Sequence, residues 1–417
     1  MSVKTSQAIL ALRQTLPNAH LVTPGTTDEY QSLNDSYLSG FESDLSPACI
    51  FLPKSKEEVA AFVRVLRPFV GDVQFAIRAA GRQPLPGCAN VQDGITVDLR
   101  SLTGVEVRDG LVQVAAGESW GAVYERLEPR GLGVTGGIVT RFDFRTFKQG
   151  SIYAGFVWYF KQSFPDQMAA LVKELTSADA SVEAHLMLSI AYAQVFGNGN
   201  DVVCLNQLYY TQPIEEPPVL SPFVHVQPQR SEMNTMKIQT IFEATKEQSA
   251  AGKSMIRCLY MNVCVKADVE TLITGGNIWC EELEPVKDAA GLMCSYTLQP
   301  YPVSQLRKTS ENGGNVLGLD PDNGPVINVL LLSYWAGKND DERVTSFMQK
   351  ALKRIERNAK DRGTLVPFIY WNYAFLDQEA LQSYSEENVR KLRAASKKYD
   401  PDGVFQTACP GGFKLFK

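Results

Sequence analysis

The sequence predicts an α+β protein of two structural units, and three observations predict it. The chain has 417 residues, more than one ordinary hydrophobic core organises. As far as about Gly150, short apolar runs alternate with one-faced helical patterns across short connections. Beyond that point longer helical patterns, such as 166–175 and 238–250, alternate with strand-like runs such as 202–210 and 255–265, so a second unit with its own core is expected there.

The first helix is read from Ile9, Leu12 and Leu16, spaced by three and four residues. That is the period of an amphipathic helix rather than the solid apolar core of a signal peptide. A short strand at 48–52 precedes Ser55-Lys56-Glu57-Glu58, which has the form of a capping box. Val59, Phe62, Val63 and Leu66 then share one helical face until Pro68 stops it. Strands are read at 74–78 and 95–99, with a glycine- and proline-rich loop between them, and a hairpin at 105–115 turning on Asp109-Gly110. A helix over 120–127 follows, with Trp120 packing at its start. In the second unit the apolar run 326–332 reads as a buried strand. The clearest helix is 340–358, with Val344, Phe347, Ala351 and Ile355 on one face and Gly363 as its stop. An aromatic strand over 367–373 and a helix carrying Val389, Leu392 and Ala395 complete the pattern, and Tyr399 to Gly403 is a turn by composition.

Hydrophobic residues make up 44% and charged residues 21% of the chain, the balance of a globular protein without a long disordered tail. A net charge of -5 argues against nucleic acid or an anionic membrane, which are bound by clustered Lys and Arg. A small molecule is the expected partner. The longest apolar run falls short of the roughly 20 residues of a membrane span, so no membrane association is expected. Eight cysteines occur without any Cys-x-x-Cys pair, and His20, His185 and His225 do not cluster with them. Metal-site spacing is therefore absent, and scattered thiols point to a reduced, cytoplasmic location.

The loop Arg78-Ala79-Ala80-Gly81-Arg82-Gln83-Pro84-Leu85-Pro86-Gly87 is the first candidate for chemistry. It follows a strand, and its backbone N–H groups could form a nest for a pyrophosphate. A tight turn would use the same glycines, so the loop alone leaves both readings open. Context comes from the order of segments along the chain. FLPKSKEEVAAFVRVLR, FAIRAAGRQPLPGCANVQDGITVDL, AAGESWGAVYERLEPRGLGV, IVTRFDFRTFKQG, GGNVLGLD, IYWNYA and KYDPDGVFQ together resemble the berberine bridge enzyme-like FAD-linked oxidoreductases over nearly the whole chain.

The resemblance implies a PCMH-type FAD-binding domain and a substrate domain with an antiparallel sheet covered by helices. By analogy the FAD domain takes 1–147 and a returning tail, 365–417, while 148–364 forms the substrate domain. It also implies site residues. Tyr373 would be the general base beside the flavin, with Asn372 near the ring. Arg78, Gly81, Gln83 and Gly87 would be what remains of the pyrophosphate loop, and Ile138 and Val139 would contact the nucleotide through their backbone. His185 and His225, without located partners, receive no role.

Two departures qualify the carry-over. The family commonly places at Arg82 a His that alkylates the flavin methyl. A guanidinium stays protonated and is a poor nucleophile, so FAD would be held non-covalently, with Arg82 pairing the pyrophosphate instead. The second departure is an internal deletion: Gly136 and Gly137 join two segments that family members separate by a long glycine-rich stretch. The implied activity is oxidation of a small-molecule intermediate of secondary metabolism, with hydride passing to flavin N5 and molecular oxygen restoring the flavin. Two alternatives stay open from the deletion: a flavin-free cyclase or isomerase, and a non-catalytic relic on the same scaffold.

Overall fold

The computed structural model describes residues 1–25, 28–108, 110–130, 132–133, 141–194, 202–250 and 257–416. The chain divides into two compact units: Met1–Gln149 with Arg390–Lys417, and Gly150–Val389. Among the described residues no helix is long and apolar enough to cross a membrane.

The first unit is built on a four-stranded sheet whose spatial order is His20–Val22, Cys49–Leu52, Ile95–Asp98 and Phe75–Arg78. The first pair is antiparallel and the other two are parallel. Cys49–Leu52 and Ile95–Asp98 are buried along their whole length, as parallel strands covered on both faces are. Helices Val3–Thr15 and Lys56–Leu66 bring Ala8, Leu12, Phe62 and Leu66 against Phe51, Phe75, Ile95 and Val97. Ser55 caps the second helix by accepting the Glu58 amide at 3.2 Å. The Glu58 carboxylate reaches back one residue further than a standard capping box, to the Lys54 amide at 2.7 Å.

The C-terminal tail completes this unit. Val404 and Ala408 enter the core, and the Ala408 carbonyl accepts the Phe75 amide at 2.7 Å. Gly411 passes so near the loop that an added Cβ would lie 1.9 Å from the Gly87 carbonyl oxygen. A separate three-stranded sheet, Val105–Arg108, Leu111–Ala115 and Arg141–Arg145, packs Val112 and Val114 against Val123 and Leu127 of helix Trp120–Leu127.

The second unit is an eight-stranded antiparallel sheet. Its order is Lys237–Gln239, Ile152–Phe160, Val203–Tyr210, Ala184–Ala193, Met293–Tyr301, Val326–Trp335, Arg257–Lys266 and Leu365–Val366. Side chains alternate between faces along each strand, and the two faces differ in chemistry. One carries Ile190, Leu298, Tyr296, Leu331 and Met261, buried beneath helices Phe164–Thr176, Val269–Leu283 and Asp341–Asp361. Gly275 and Gly276 let the middle helix approach, since a Cβ there would lie 2.6 Å from the Tyr296 hydroxyl and 2.7 Å from Ile190 Cδ1. The opposite face carries Tyr209, Gln207, Met187, Ser189, Thr297, Gln299, Asn328, Tyr260 and Tyr334, aligned by the cross-strand register.

Three sequence readings are corrected. Residues 238–250 are not one helix but a strand, Lys237–Gln239, and a helix, Ile241–Ala250. Thr240 separates them through a capping box, its Oγ1 accepting the Glu243 amide at 3.2 Å while Glu243 accepts the Thr240 amide at 2.9 Å. Residues 367–373 are not a strand: after Leu365–Val366 the chain leaves the ladder at Pro367, which has no amide to donate, and Trp371–Tyr373 is a single 3-10 turn. The return to the first unit begins at Arg390 rather than at 365. Leu365 and Val366 pair with Val265 and Cys264 at the edge of the large sheet, and Asn262 binds both backbone groups of Tyr370, which keeps the intervening segment in the second unit.

Candidate functional site

In the first unit the strand Phe75–Arg78 delivers the chain into the glycine-rich loop. Gly81 and Gly87 adopt φ values of +68° and +73°, the left-handed region that glycine enters without strain. At Gly81 a side chain is also excluded by space, because a Cβ would lie 2.9 Å from Arg78 Nε. Arg82 is exposed and Gln83 half-buried on this turn. The Gly81 carbonyl accepts the Leu38 amide at 2.9 Å. The amides of Gly81, Arg82 and Gln83 have no acceptor among the described residues.

Arg78 does not face the loop's open side. It is 1% exposed, and its guanidinium donates to Leu33 O at 2.8 Å and to Ser36 O and Oγ at 2.7 and 2.9 Å. Tyr37 stacks over it at 3.7 Å, and Asp98, 0% exposed, lies 3.7 Å from Nη1. Burial draws Arg78 below the usual guanidinium range, opposed by Tyr37 and Asp98. Asp98 is also gripped by Arg100 through Nε and Nη2 at 2.9 and 2.7 Å. Arg78, expected as part of the pyrophosphate loop, thus has its guanidinium engaged inside the unit, at the loop's entry.

Glu42 lies under the loop's other end, 0% exposed, with Oε1 accepting the Cys88 and Ala89 amides at 2.8 and 3.1 Å. Burial pushes its carboxyl up from 4.5 to about 7, against the downward pull of those amides. The folded value lies above the unfolded one. The stability that accompanies a protonated Glu42 is therefore complete below about pH 4.5 and lost as pH rises through about 7. Glu42→Gln cannot ionise, so between pH 5 and pH 8.5 its Tm is expected to fall less than that of the wild type. Parallel declines in thermal melts would count against this assignment.

In the second unit Tyr373 lies in a phenolic cluster, with its ring edge-on to Tyr260 at 5.7 Å and to Tyr370 at 5.0 Å. Gln299 Nε2 is 3.5 Å from the Tyr373 hydroxyl, and Tyr260 and Tyr334 share a hydroxyl–hydroxyl hydrogen bond. Asn372 is exposed and donates to the Tyr370 hydroxyl at 2.8 Å. The Asn262 side chain holds the turn by donating to Tyr370 O at 3.0 Å and accepting Tyr370 N at 2.8 Å. Gln378 braces Asn262 from behind, donating to its carbonyl at 2.7 Å. Burial raises Tyr260, Tyr301 and Tyr370 above the usual phenol value, and no cation contributes to any of the three. The six central strands place no Asp, Glu or Arg on this face, and Lys266 stands at a strand end. Among the described residues of these strands, the face offers hydrogen-bonding and stacking groups, with His185 opposite Tyr209 as its one imidazole.

Sequence reasoning named Tyr373 and Asn372 but missed Asn262, Gln299, Glu42 and Asp98. Asn262 had a readable signal, a lone amide inside the apolar run Leu259 to Val265, where an unpaired polar group would be costly. Ile138 and Val139, and the junction at Gly136 and Gly137, lie outside the described residues.

The FAD binding domain family matches residues 47–140, a span that contains the loop. The FAD-dependent monooxygenase drtC of Aspergillus calidoustus is 26% identical, covering 93% of this chain and 86% of its own. That alignment runs over 462 positions, more than the 417 residues present here, so the relative carries residues that this chain lacks. Berberine bridge enzyme from Eschscholzia californica superposes with a TM-score of 0.71 at 13% identity, over 97% of this chain and 99% of that one. Physcomitrella patens BBE-like 1 gives 0.72 at 14%, over 98% and 99%. At these identities the solved structures show a common fold. The loop fits the group that this fold binds: a left-handed glycine and three consecutive unengaged amides are what a pyrophosphate nest requires. The chain is thus similar along nearly its whole length to FAD-dependent monooxygenases and has the fold of berberine bridge enzyme, and it is an FAD-dependent oxidoreductase with FAD as its cofactor.

Proposed function

We propose that the protein oxidises an uncharged small-molecule intermediate of secondary metabolism. FAD, when bound, supplies the hydride acceptor and the route to molecular oxygen. The amides of Gly81, Arg82 and Gln83 hold the pyrophosphate, and exposed Arg82 adds a cation beside it without a covalent link. Gly87 sets the turn. Tyr373 takes the substrate proton, positioned by the Tyr260 and Tyr370 rings and the Gln299 amide, while Asn372 holds the Tyr370 hydroxyl beside it.

The observation that carries this reading is the set of unengaged amides on the left-handed turn within the matched nucleotide-binding region. The alignment that outruns the chain favours a second reading, in which the scaffold holds its substrate without flavin as a cyclase or isomerase. The visible absorption spectrum of the purified protein, repeated on the supernatant after acid precipitation, separates the two. Flavin bands that pass into the supernatant are expected. A protein that stays colourless after incubation with excess FAD leaves the cofactor-free reading.

A further inference from the structure

The segment 33–45 lies before the matched nucleotide-binding region, yet it grips the loop at both ends. At the entry, Arg78 is bound to Leu33 and Ser36, and the Gly81 carbonyl to the Leu38 amide. At the exit, the contacts converge on Glu42 of the short helix Gly40–Ser43. Its Oε1 accepts two consecutive amides, Cys88 and Ala89. Its backbone carbonyl accepts Asn90 Nδ2 at 2.9 Å, which also donates to Asn34 Oδ1 at 2.9 Å. Thr96 Oγ1 donates to Asn90 Oδ1 at 2.7 Å, which ties the network to the sheet. Glu42 Oε2 is buried with no partner among the described residues. Stability alone gives no reason to bury a carboxylate with one oxygen unengaged.

We propose that Glu42 is a positioning residue for the dinucleotide. By fixing the amides that follow Gly87, it holds the turn 81–87 between two anchors, so that the amides of Gly81, Arg82 and Gln83 are preset for a pyrophosphate. This rests on the FAD reading above. Ordering a loop before its ligand arrives lowers the entropy lost on binding. Only a side chain long enough to bridge to both amides, with an oxygen that accepts from each, does this. Glutamine keeps that oxygen; alanine lacks it and aspartate falls short.

The test is the FAD dissociation constant of apo protein, followed by quenching of flavin fluorescence, alongside the Tm of each apo variant. Glu42→Ala is expected to weaken FAD binding about tenfold or more at a temperature where the apo protein is fully folded, and Glu42→Gln to restore it to within about threefold. Leu12→Ala, in the core of the same unit and away from the loop, is expected to lower Tm with FAD affinity unchanged. If Glu42→Ala does not fold, Glu42→Asp carries the same expectation of weakened binding. Wild-type affinity in Glu42→Ala or Glu42→Asp overturns the proposal, as does an affinity loss in Leu12→Ala that matches its Tm loss. A wild-type protein that binds no FAD overturns the FAD reading itself, and this proposal with it.

Discussion

Tyr373→Phe is expected to slow substrate-driven reduction of the bound flavin by about 10²–10⁴-fold, the range for removing a positioned general base. The substitution isolates the hydroxyl. The ring keeps its edge-on packing with Tyr260 and Tyr370, and the hydroxyl's polar neighbour among the described residues is Gln299 Nε2 at 3.5 Å, a distance long for a hydrogen bond. Neither Tm nor the flavin spectrum should therefore change appreciably. Stopped-flow absorbance of the flavin band reads the step directly, and an unchanged rate in Tyr373→Phe removes this residue from the mechanism.

Asp98→Ala is expected to destabilise the first unit by about 3–5 kcal/mol, the range for breaking a buried ion pair from one side. Asp98 is fully buried between two guanidinium groups, Arg100 in bidentate contact and Arg78 at 3.7 Å. Without the carboxylate, Arg78 remains in the interior with backbone carbonyls and the Tyr37 ring but no counter-charge. The two units need not unfold in one step, so a whole-protein melt is read together with hydrogen–deuterium exchange over 75–98. Faster exchange in that region with little change in 257–335 is the expected pattern. Unchanged exchange over 75–98 would mean that Arg78 is balanced without Asp98.

What the sequence made legible follows the reach of its signals. Periodicity over a few turns was enough for the helix at 56–66, where Val59, Phe62, Val63 and Leu66 fall on one side, and for the buried strand at 326–335. Composition misled at 367–373, because aromatic residues concentrate in strands while Pro367 and the Asn262 clamp act against the ladder. At 238–250 a continuous polar–apolar pattern hid the capping box at Thr240. The candidate site divides in the same way. Tyr373, Asn372 and the glycine turn were carried by a resemblance in short motifs. Glu42 was invisible because its partners, the Cys88 and Ala89 amides, lie 46 and 47 residues along the chain, and nothing local in Gly40-Phe41-Glu42-Ser43 marks it. Arg78 was legible as part of the loop, but its partners Leu33, Ser36 and Asp98 were not, since sequence gives a guanidinium no orientation.

The closure of the first unit by its distant tail has a consequence for how the protein comes into being. A ribosome delivers 1–149 first, and that stretch lacks Val404 and Ala408 from its core and the backbone of Gly411 from the flank of Gly87. The Phe75 amide has no carbonyl to meet until Ala408 is made. All of 150–389 emerges in between, a span that carries its own sheet and its own helices. The glycine-rich loop is therefore synthesised well before the segment that flanks it, and the first unit has its whole core only once 404–411 have been made.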